Sequence, residues 1–168
     1  MSNPNTPGKP AMRTGSLSRA ALIAALYAAL TLLLAPISYG EIQLRISEAL
    51  TLLPILLPEA VPALAVGCLL ANILGGAPVY DIVFGTLATL LAAIATRLLR
   101  ARPRLAAAMP VLFNGVIVGA VVHYAYAPVI PLALCMLSVS AGEAAVCFLL
   151  GPLLLSVLRK LPSRLLYL

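Results

Sequence analysis

Long apolar stretches without charge dominate this chain. No Asp, Glu, Lys or Arg occurs between residues 19 and 41, between 59 and 81, or between 104 and 143. Each gap is as long as, or longer than, the ~20 residues that a helix needs to cross the bilayer core. The pattern predicts an all-α, polytopic membrane protein.

Proline and glycine divide the apolar pattern into six predicted helices. Four segments lie at 18–36, 47–58, 60–75 and 81–97, separated by Pro- or Gly-containing turns. The stretch 105–158 holds two more, broken around Pro128 and Pro131. We therefore expect a six-helix transmembrane bundle.

The second segment is short. Residues 47–58 are too few for a full span, and Pro54 removes a backbone donor within them. We predict a short or tilted helix beside its neighbours. The alternative, a re-entrant segment, would change the number of crossings.

Composition and charge support a membrane protein. Hydrophobic residues make up 62% of the chain and charged residues 10%, against roughly a quarter charged in soluble domains. The net charge is +6, but the basic residues are not interleaved with exposed aromatic residues as they are in nucleic-acid binders. No nucleic-acid partner is therefore expected. Short basic loops stay in the cytoplasm, which predicts both termini there. The basic clusters are Lys9, Arg13 and Arg19; Arg97, Arg100, Arg102 and Arg104; and Arg159, Lys160 and Arg164.

The predicted organisation is a single membrane domain with two tails. Residues 1–16 are rich in Pro, Asn, Gly and Ser and are predicted to be a disordered cytoplasmic tail. Residues 17–160 form the transmembrane domain, and 161–168 form a second cytoplasmic tail. The first apolar run is long and lacks a good cleavage site, so we predict a retained helix and not a signal peptide.

Few polar groups interrupt the apolar segments, and most of them fall toward the predicted outer ends of helices. This placement indicates a cavity that opens away from the cytoplasm. Glu143 is the strongest candidate, because placing an ionised carboxylate in lipid is costly. Insertion scales give at least ~2.5 kcal/mol for an Asp at the centre of a membrane helix. We favour substrate contact for it over a structural link to Asn114 or a serine. The predicted substrate-binding residues are Arg45, Glu48, Asn72, Asp81, Asn114 and Glu143.

Several of these residues also have structural interpretations. Glu48 lies at the start of the second helix, where a carboxylate favours the helix dipole and Ser47 can cap. Both a capping and a ligand-binding role stay open for it. Asp81 can likewise cap the fourth helix. Arg45 can pair with Glu41 or Glu48, or can contact substrate.

The remaining polar residues are predicted to be structural. Glu59 is predicted to be a solvated turn residue. Asn72, already among the predicted substrate-binding residues, lies inside an apolar run and also needs a hydrogen-bond partner. His123, beside Tyr124, has no second ligand at metal spacing, so we expect a hydrogen bond there and no metal. The three cysteines are predicted to be buried free thiols: Cys68, Cys135 and Cys147.

Small residues at helical spacing mark close helix contacts. For Gly115 and Gly119 we favour packing within the bundle. The first helix carries two alanine rows, for which internal packing and a partner protein are both open. The rows are Ala20, Ala24 and Ala28, and Ala21, Ala25 and Ala29.

Motifs for catalysis are missing from the sequence. There is no GxxxxGK[ST] loop, serine elbow or HExxH. We therefore expect neither an enzyme nor a cofactor. Two alternatives belong to other functional classes. One is a small intramembrane enzyme that uses Glu48, Glu143 and His123, and the other is a purely structural membrane subunit.

Four stretches resemble the QueT family of substrate-binding components of energy-coupling-factor vitamin transporters. They are "ALIAALYAALTLLLAPISYG", "RISEALTLLP", "EAVPALAVGCLLANILGG" and "DIVFGTLATLLAA". The likeness extends from about Leu17 to Lys160. Its later half, with Asn114 and Glu143, matches by pattern more than by motif.

The resemblance implies capture of a queuosine precursor, a deazaguanine base, from outside a bacterial cell membrane. A transmembrane coupling protein and two cytoplasmic ATPases would complete the importer, and one or the other of the two alanine rows would face the coupling protein. A carboxylate of Glu143 or Glu48 would accept the base's adjacent N–H donors, supported by Asn72, Asp81 and Asn114. A component for another vitamin is the alternative within this class.

Overall fold

Six helices build the described part of the chain. The computed structural model describes residues 14–34 and 45–160, and within them it contains no strand. This confirms the all-helical, six-helix prediction with a short second helix. The helices are α1 (Thr14–Leu33), α2 (Ile46–Ile55), α3 (Ala60–Leu74), α4 (Asp81–Leu98), α5 (Pro103–Tyr126) and α6 (Leu132–Arg159).

Four of the described helices, α1, α4, α5 and α6, are long and apolar enough to cross a membrane. The shorter α2 and α3 are also apolar. The largest shift from the predicted bounds is at the start, because α1 begins at Thr14, inside the stretch assigned to the tail. The rest of that tail, 1–13, and the tail 161–168 lie outside the described residues, as does Glu41.

The short helix α2 is a ten-residue 3₁₀-helix at the centre of the bundle. At about 2.0 Å rise per residue it extends about 20 Å. That nearly equals the fifteen residues of α3 at about 1.5 Å each. Residues 47–55 are all buried, and α2 contacts each of the other five described helices. A helix that is apolar all round is typical of such a central position.

Charged side chains secure one end of α2. The Arg97 Nη1 donates to the carbonyl oxygens of Pro54 at 3.0 Å and Ile55 at 3.3 Å. These carbonyls lie at the helix end, where no further turn supplies a donor. In the α2–α3 turn, Glu59 pairs with Arg19 at 2.6 Å.

The prediction that Glu59 is a solvated turn residue is wrong. It is buried, because the turn packs against the start of α1 and Arg19 neutralises the carboxylate there. Turn chemistry in the sequence does not reveal this packing.

We call the helix ends around this ion pair the basic end. Ala20, Leu57 and Leu158 pack in one apolar cluster, which joins the start of α1, the α2–α3 turn and the end of α6. A second cluster joins Ile55 to the α4–α5 turn. The described members of all three basic clusters lie at this end, whereas Lys9, Arg13 and Arg164 lie outside the described residues.

Glycines set the closest helix contacts. A Cβ on Gly67 of α3 would lie 2.8 Å from the Ala24 carbonyl oxygen of α1. A Cβ on Gly119 of α5 would lie 2.6 Å from the Met136 Cα of α6, and one on Gly115 would overlap the Ser140 hydroxyl. The predicted packing role of Gly115 and Gly119 is thereby confirmed.

These contacts also separate the two alanine rows. Ala24 and Ala28 are buried toward α3 and Ala20 is half-buried. The other row, Ala21, Ala25 and Ala29, is exposed on the surface of α1.

We expect Gly119→Ala to destabilise the bundle more than Gly115→Ala. The Gly119 methyl group would meet backbone, so α5 and α6 must separate, whereas the Ser140 hydroxyl can rotate away from Gly115. Overpacking of this kind costs about 1–3 kcal/mol. Thermal unfolding of the two purified variants in one detergent would measure the difference. Equal melting temperatures would contradict this account of the α5–α6 contact.

Candidate functional site

Buried polar side chains converge between α1, α2, α5 and α6. We call the central group the carboxylate cluster, and each of its members is 5% exposed or less. The cluster is therefore closed to its surroundings in this structure. It consists of Tyr27, Arg45, Glu48, Asn114 and Glu143.

Glu48 lies in the first turn of α2 and is fully buried. Its Oε1 accepts a hydrogen bond from the Tyr27 hydroxyl of α1, and Asn114 lies alongside the same carboxylate. Its Oε2 has no hydrogen-bond partner in the described part of the chain. A buried carboxylate oxygen without a donor is costly, so it is a natural acceptor for a ligand's N–H group.

Glu143 lies on α6, opposite Glu48. Its Oε1 accepts a hydrogen bond from Asn114 Nδ2 at 3.1 Å, and Cys147 Sγ lies 3.9 Å from its Oε2. The structural link to Asn114 is therefore present. Substrate contact by Glu143 stays a prediction.

Arg45 precedes α2 and provides the positive charge of the cluster. Its buried guanidinium interacts electrostatically with both Glu48 and Glu143. One guanidinium facing two carboxylates leaves one negative charge without a counter-charge when both carboxylates are ionised. A ligand that brings donors, or a positive charge, would complement this arrangement.

Ser47 does not cap α2, contrary to the capping interpretation. The start of α2 has no side-chain cap, and the Ser47 hydroxyl lies 2.7 Å from Thr31 Oγ1 of α1. Because the start of α2 is packed against α1, the hydroxyl bonds across to its neighbour and not along its own helix. Thr51 donates to the Glu48 carbonyl at 2.5 Å.

A second polar group lies where α3 ends and α4 begins. Asn72 Nδ2 donates to the Asp81 carbonyl oxygen at 3.0 Å, while Asn72 Oδ1 has no hydrogen-bond partner among the described residues. The Asp81 carboxylate accepts from the Tyr126 hydroxyl of α5 and makes no capping bond, so the capping interpretation of Asp81 is wrong. Just after α3, Gly76 has φ 68°, a conformation that favours glycine.

Cys68 connects the two polar groups. Its thiol lies beside Tyr27, 3.6 Å from Asn72 Nδ2 and 3.4 Å from Thr89 Oγ1. The six predicted site residues thus belong to one continuous polar interior. The three cysteines are buried and free, as predicted.

Tyr27 and Tyr126 were missed by reasoning from sequence. Tyr27 lies on the same face of α1 as the inward alanine row, and this shared face was the signal in the sequence that could have identified it. Tyr126 ends one of three π-helical turns, Asp81–Gly85, Val122–Tyr126 and Val146–Leu150. Such turns are frequent at functional sites. Each of them holds a residue of the polar interior or one in contact with it.

His123 takes no part in this interior. It is half-buried, and its Nδ1 lies 2.8 Å from the Ile130 carbonyl oxygen, which confirms the expected hydrogen bond. The Tyr124 ring meets it edge-on with ring centroids 4.7 Å apart. An acid–base trio of His123 with Glu48 and Glu143 is therefore not assembled.

An apolar groove between α4, α5 and α6 shares no residue with the carboxylate cluster. Phe84, Val116, Tyr124 and Met136 are among the side chains that line it. The first three are exposed on the outer surface of the bundle. The groove therefore faces outward, away from the polar interior.

Comparison with known proteins gives a family and one partial relative. Residues 17–160 match the family model described as QueT transporter. The queuosine precursor transporter QueT of Lactococcus lactis subsp. cremoris (strain MG1363) is 38% identical over 80 residues. That alignment covers 46% of this chain and 47% of the relative, so the chain spans about half the length of the curated relative it matches. No solved structure matches the chain.

Proposed function

Because this chain belongs to the QueT transporter family, we propose that it is the substrate-capture subunit of an energy-coupling-factor importer. In this role it takes up a queuosine precursor from outside a bacterial cell. The family consists of transporters, which confirms the prediction that the chain is not an enzyme. With four apolar helices long enough to span a bilayer in its described part, it is a multi-pass membrane protein.

The observation that carries the substrate proposal is a pair of buried acceptors without a donor. Glu48 Oε2 and Asn72 Oδ1 are both buried without a hydrogen-bond partner in the described residues. A deazaguanine base presents adjacent ring and amine N–H donors, which a carboxylate accepts as a fork. An analogue without these donors would leave the acceptors unpaired, so the site would discriminate strongly against it.

The second carboxylate of the cluster, that of Glu143, favours binding of a positively charged form of the base. Glu143 lies near Glu48, and both share the single guanidinium of Arg45. An aminomethyl group carries a positive charge that would restore the balance. We therefore propose the aminomethyl deazaguanine as the preferred form. The relative is named as a transporter of a queuosine precursor, which agrees with this choice.

Charge distribution supports the proposed orientation. The basic end collects Arg19, Arg97 and Arg159 and would face the cytoplasm under the positive-inside rule. Both termini would then be cytoplasmic. Glu48 and Asp81 lie at helix starts away from that end, so the site would open to the outside. Because the cluster is closed, capture requires these helix ends to separate.

The exposed row Ala21, Ala25 and Ala29 supports a partner on α1. Small residues let helices approach closely in lipid, where no hydrophobic drive brings them together. We propose that this row meets the transmembrane coupling protein, while two cytoplasmic ATPases supply the energy. The inward row, Ala20, Ala24 and Ala28, would serve packing against α3.

Titration calorimetry on the detergent-purified full chain tests the capture role. We expect tight, saturable binding of the aminomethyl deazaguanine and weaker binding of guanine, which shares the N–H donors but lacks the positive charge. Thiamine and riboflavin should not bind. Binding of another vitamin alone would preserve the transporter class and overturn the substrate. No binding of the whole panel by folded protein would contradict capture itself.

A further inference from the structure

We propose that Tyr126 is a positioning residue for substrate capture, which acts on the ligand through Asp81 and Asn72. This inference rests on the proposed function. It concerns a residue that does not itself line the carboxylate cluster. Its basis is a chain of two hydrogen bonds that ends on an unpartnered acceptor.

The first bond ties α5 to α4. Tyr126 is the last residue of α5, and its ring is half exposed, whereas Asp81 is buried. The Tyr126 hydroxyl donates to Asp81 Oδ2. This bond satisfies one oxygen of a buried carboxylate and holds the first turn of α4 against the end of α5.

The second bond ties α4 to α3 and determines how Asn72 points. The Asp81 carbonyl oxygen can only accept, so the NH₂ group of Asn72 must face it, at 3.0 Å. Asn72 Oδ1 must therefore point away from Asp81. It is a buried acceptor held in one direction, with no partner in the part of the chain that is described.

The direction matters because Asn72 belongs to the same interior as Glu48. Cys68 contacts Asn72 one helical turn away and lies beside Tyr27, which donates to Glu48. Two buried unpartnered acceptors, Glu48 Oε2 and Asn72 Oδ1, are thus linked through the contacts of Cys68 and Tyr27. A base with N–H donors on more than one edge would use both. Loss of the Tyr126 hydroxyl would release the first turn of α4 from the end of α5, so the Asp81 carbonyl oxygen that orients the Asn72 amide would shift.

A double-mutant cycle on the full chain tests this role. The probe is the aminomethyl deazaguanine, and Kd is measured for wild type, Tyr126→Phe, Asn72→Ala and the double variant. We expect Tyr126→Phe to raise Kd up to about tenfold, the upper end of the effect of one neutral hydrogen bond, because the ligand contact that is lost is the one made by Asn72 Oδ1. The double variant should bind no more weakly than Asn72→Ala alone, because Tyr126 acts through Asn72.

A second experiment varies the ligand in place of Asn72, and it applies if Asn72→Ala does not fold. Deazaguanine analogues that each lack one N–H donor are titrated against wild type and Tyr126→Phe. For the analogue without the donor that meets Asn72, the two proteins should bind equally. For the others, the difference should persist.

Tyr124→Phe is the matched control, because Tyr124 is 74% exposed in the same turn and lines only the outer groove. We expect it to bind like wild type. The inference is overturned if Tyr126→Phe binds like wild type while wild type binds the probe. It is equally overturned if Tyr126→Phe weakens binding by the same factor in both backgrounds and for every analogue, as a purely structural role would. A wild-type chain that binds no deazaguanine would overturn the proposed function, which the wild-type titration alone reveals.

Discussion

Glu143→Gln is expected to abolish binding of the deazaguanine bases in a protein that still folds. Glutamine can keep the Oε1 acceptor that Asn114 Nδ2 contacts at 3.1 Å, so the α5–α6 link survives. The substitution removes the negative charge and turns the second oxygen into a donor. A donor placed against the N–H groups or the positive charge of the ligand would repel it.

The expected loss is large because the site is closed to bulk solvent. Each member of the carboxylate cluster is 5% exposed or less, so water does not screen the change. Removal of one partner of a buried charged pair costs about 2–5 kcal/mol, which corresponds to a rise in Kd of roughly 30-fold to 4,000-fold. Titration calorimetry with the aminomethyl deazaguanine measures it, and thermal unfolding without ligand checks the fold.

Glu59→Gln is the matched control for Glu143→Gln. It makes the same change at another buried carboxylate, which pairs with Arg19 at the basic end and not within the cluster. We expect it to lower the melting temperature and to leave Kd unchanged. An unchanged Kd in Glu143→Gln would remove Glu143 from the site.

Ala25→Trp is expected to abolish uptake while leaving ligand binding intact. Ala25 is the middle residue of the exposed alanine row on α1. An indole ring there would hold a partner helix several ångströms away, and close backbone approach is a main source of helix association in lipid. The carboxylate cluster lies on the inner side of α1, where Tyr27 contacts Glu48, so its geometry is preserved.

Uptake of the radiolabelled base would be measured in cells that express the chain together with the proposed coupling protein and ATPases. We expect transport at background level, loss of co-purification with the coupling protein, and wild-type Kd for the purified variant. Leu112→Trp, on the exposed face of α5, adds the same ring elsewhere and should transport normally. Wild-type uptake by Ala25→Trp would show that the coupling protein docks on another face.

Patterns in the sequence predicted the helices well because each depends on local chemistry. Charge-free gaps, with Pro and Gly between them, specify where a helix can lie in a bilayer and where it must end. The bounds of α3 and α4 agree with prediction to within one residue. The same reasoning identified Asn114 and Glu143 as polar groups inside apolar helices, and the structure brings these two into contact.

Hydrogen-bond partners could not be predicted in this way. Ser47, Asp81 and Glu59 were assigned to caps and a turn because a sequence displays only neighbours along the chain. Each side chain instead bonds to a different helix or pairs with it: Thr31, Tyr126 and Arg19 respectively. Such partners are set by how the helices pack, which depends on close contacts such as Gly67 against Ala24.

By itself, the sequence determined that the chain forms apolar helices, that its basic residues fall in three clusters, and that a few carboxylates are placed among apolar residues. Only the tertiary structure decided which alanine row on α1 faces inward, since both rows have the same spacing. It also decided that α2 forms an extended 3₁₀-helix buried on every side, which carries Glu48 to Tyr27 and Asn114. The physical reason is that periodicity defines the faces of a helix, whereas the neighbour that each face meets depends on the packing of all six.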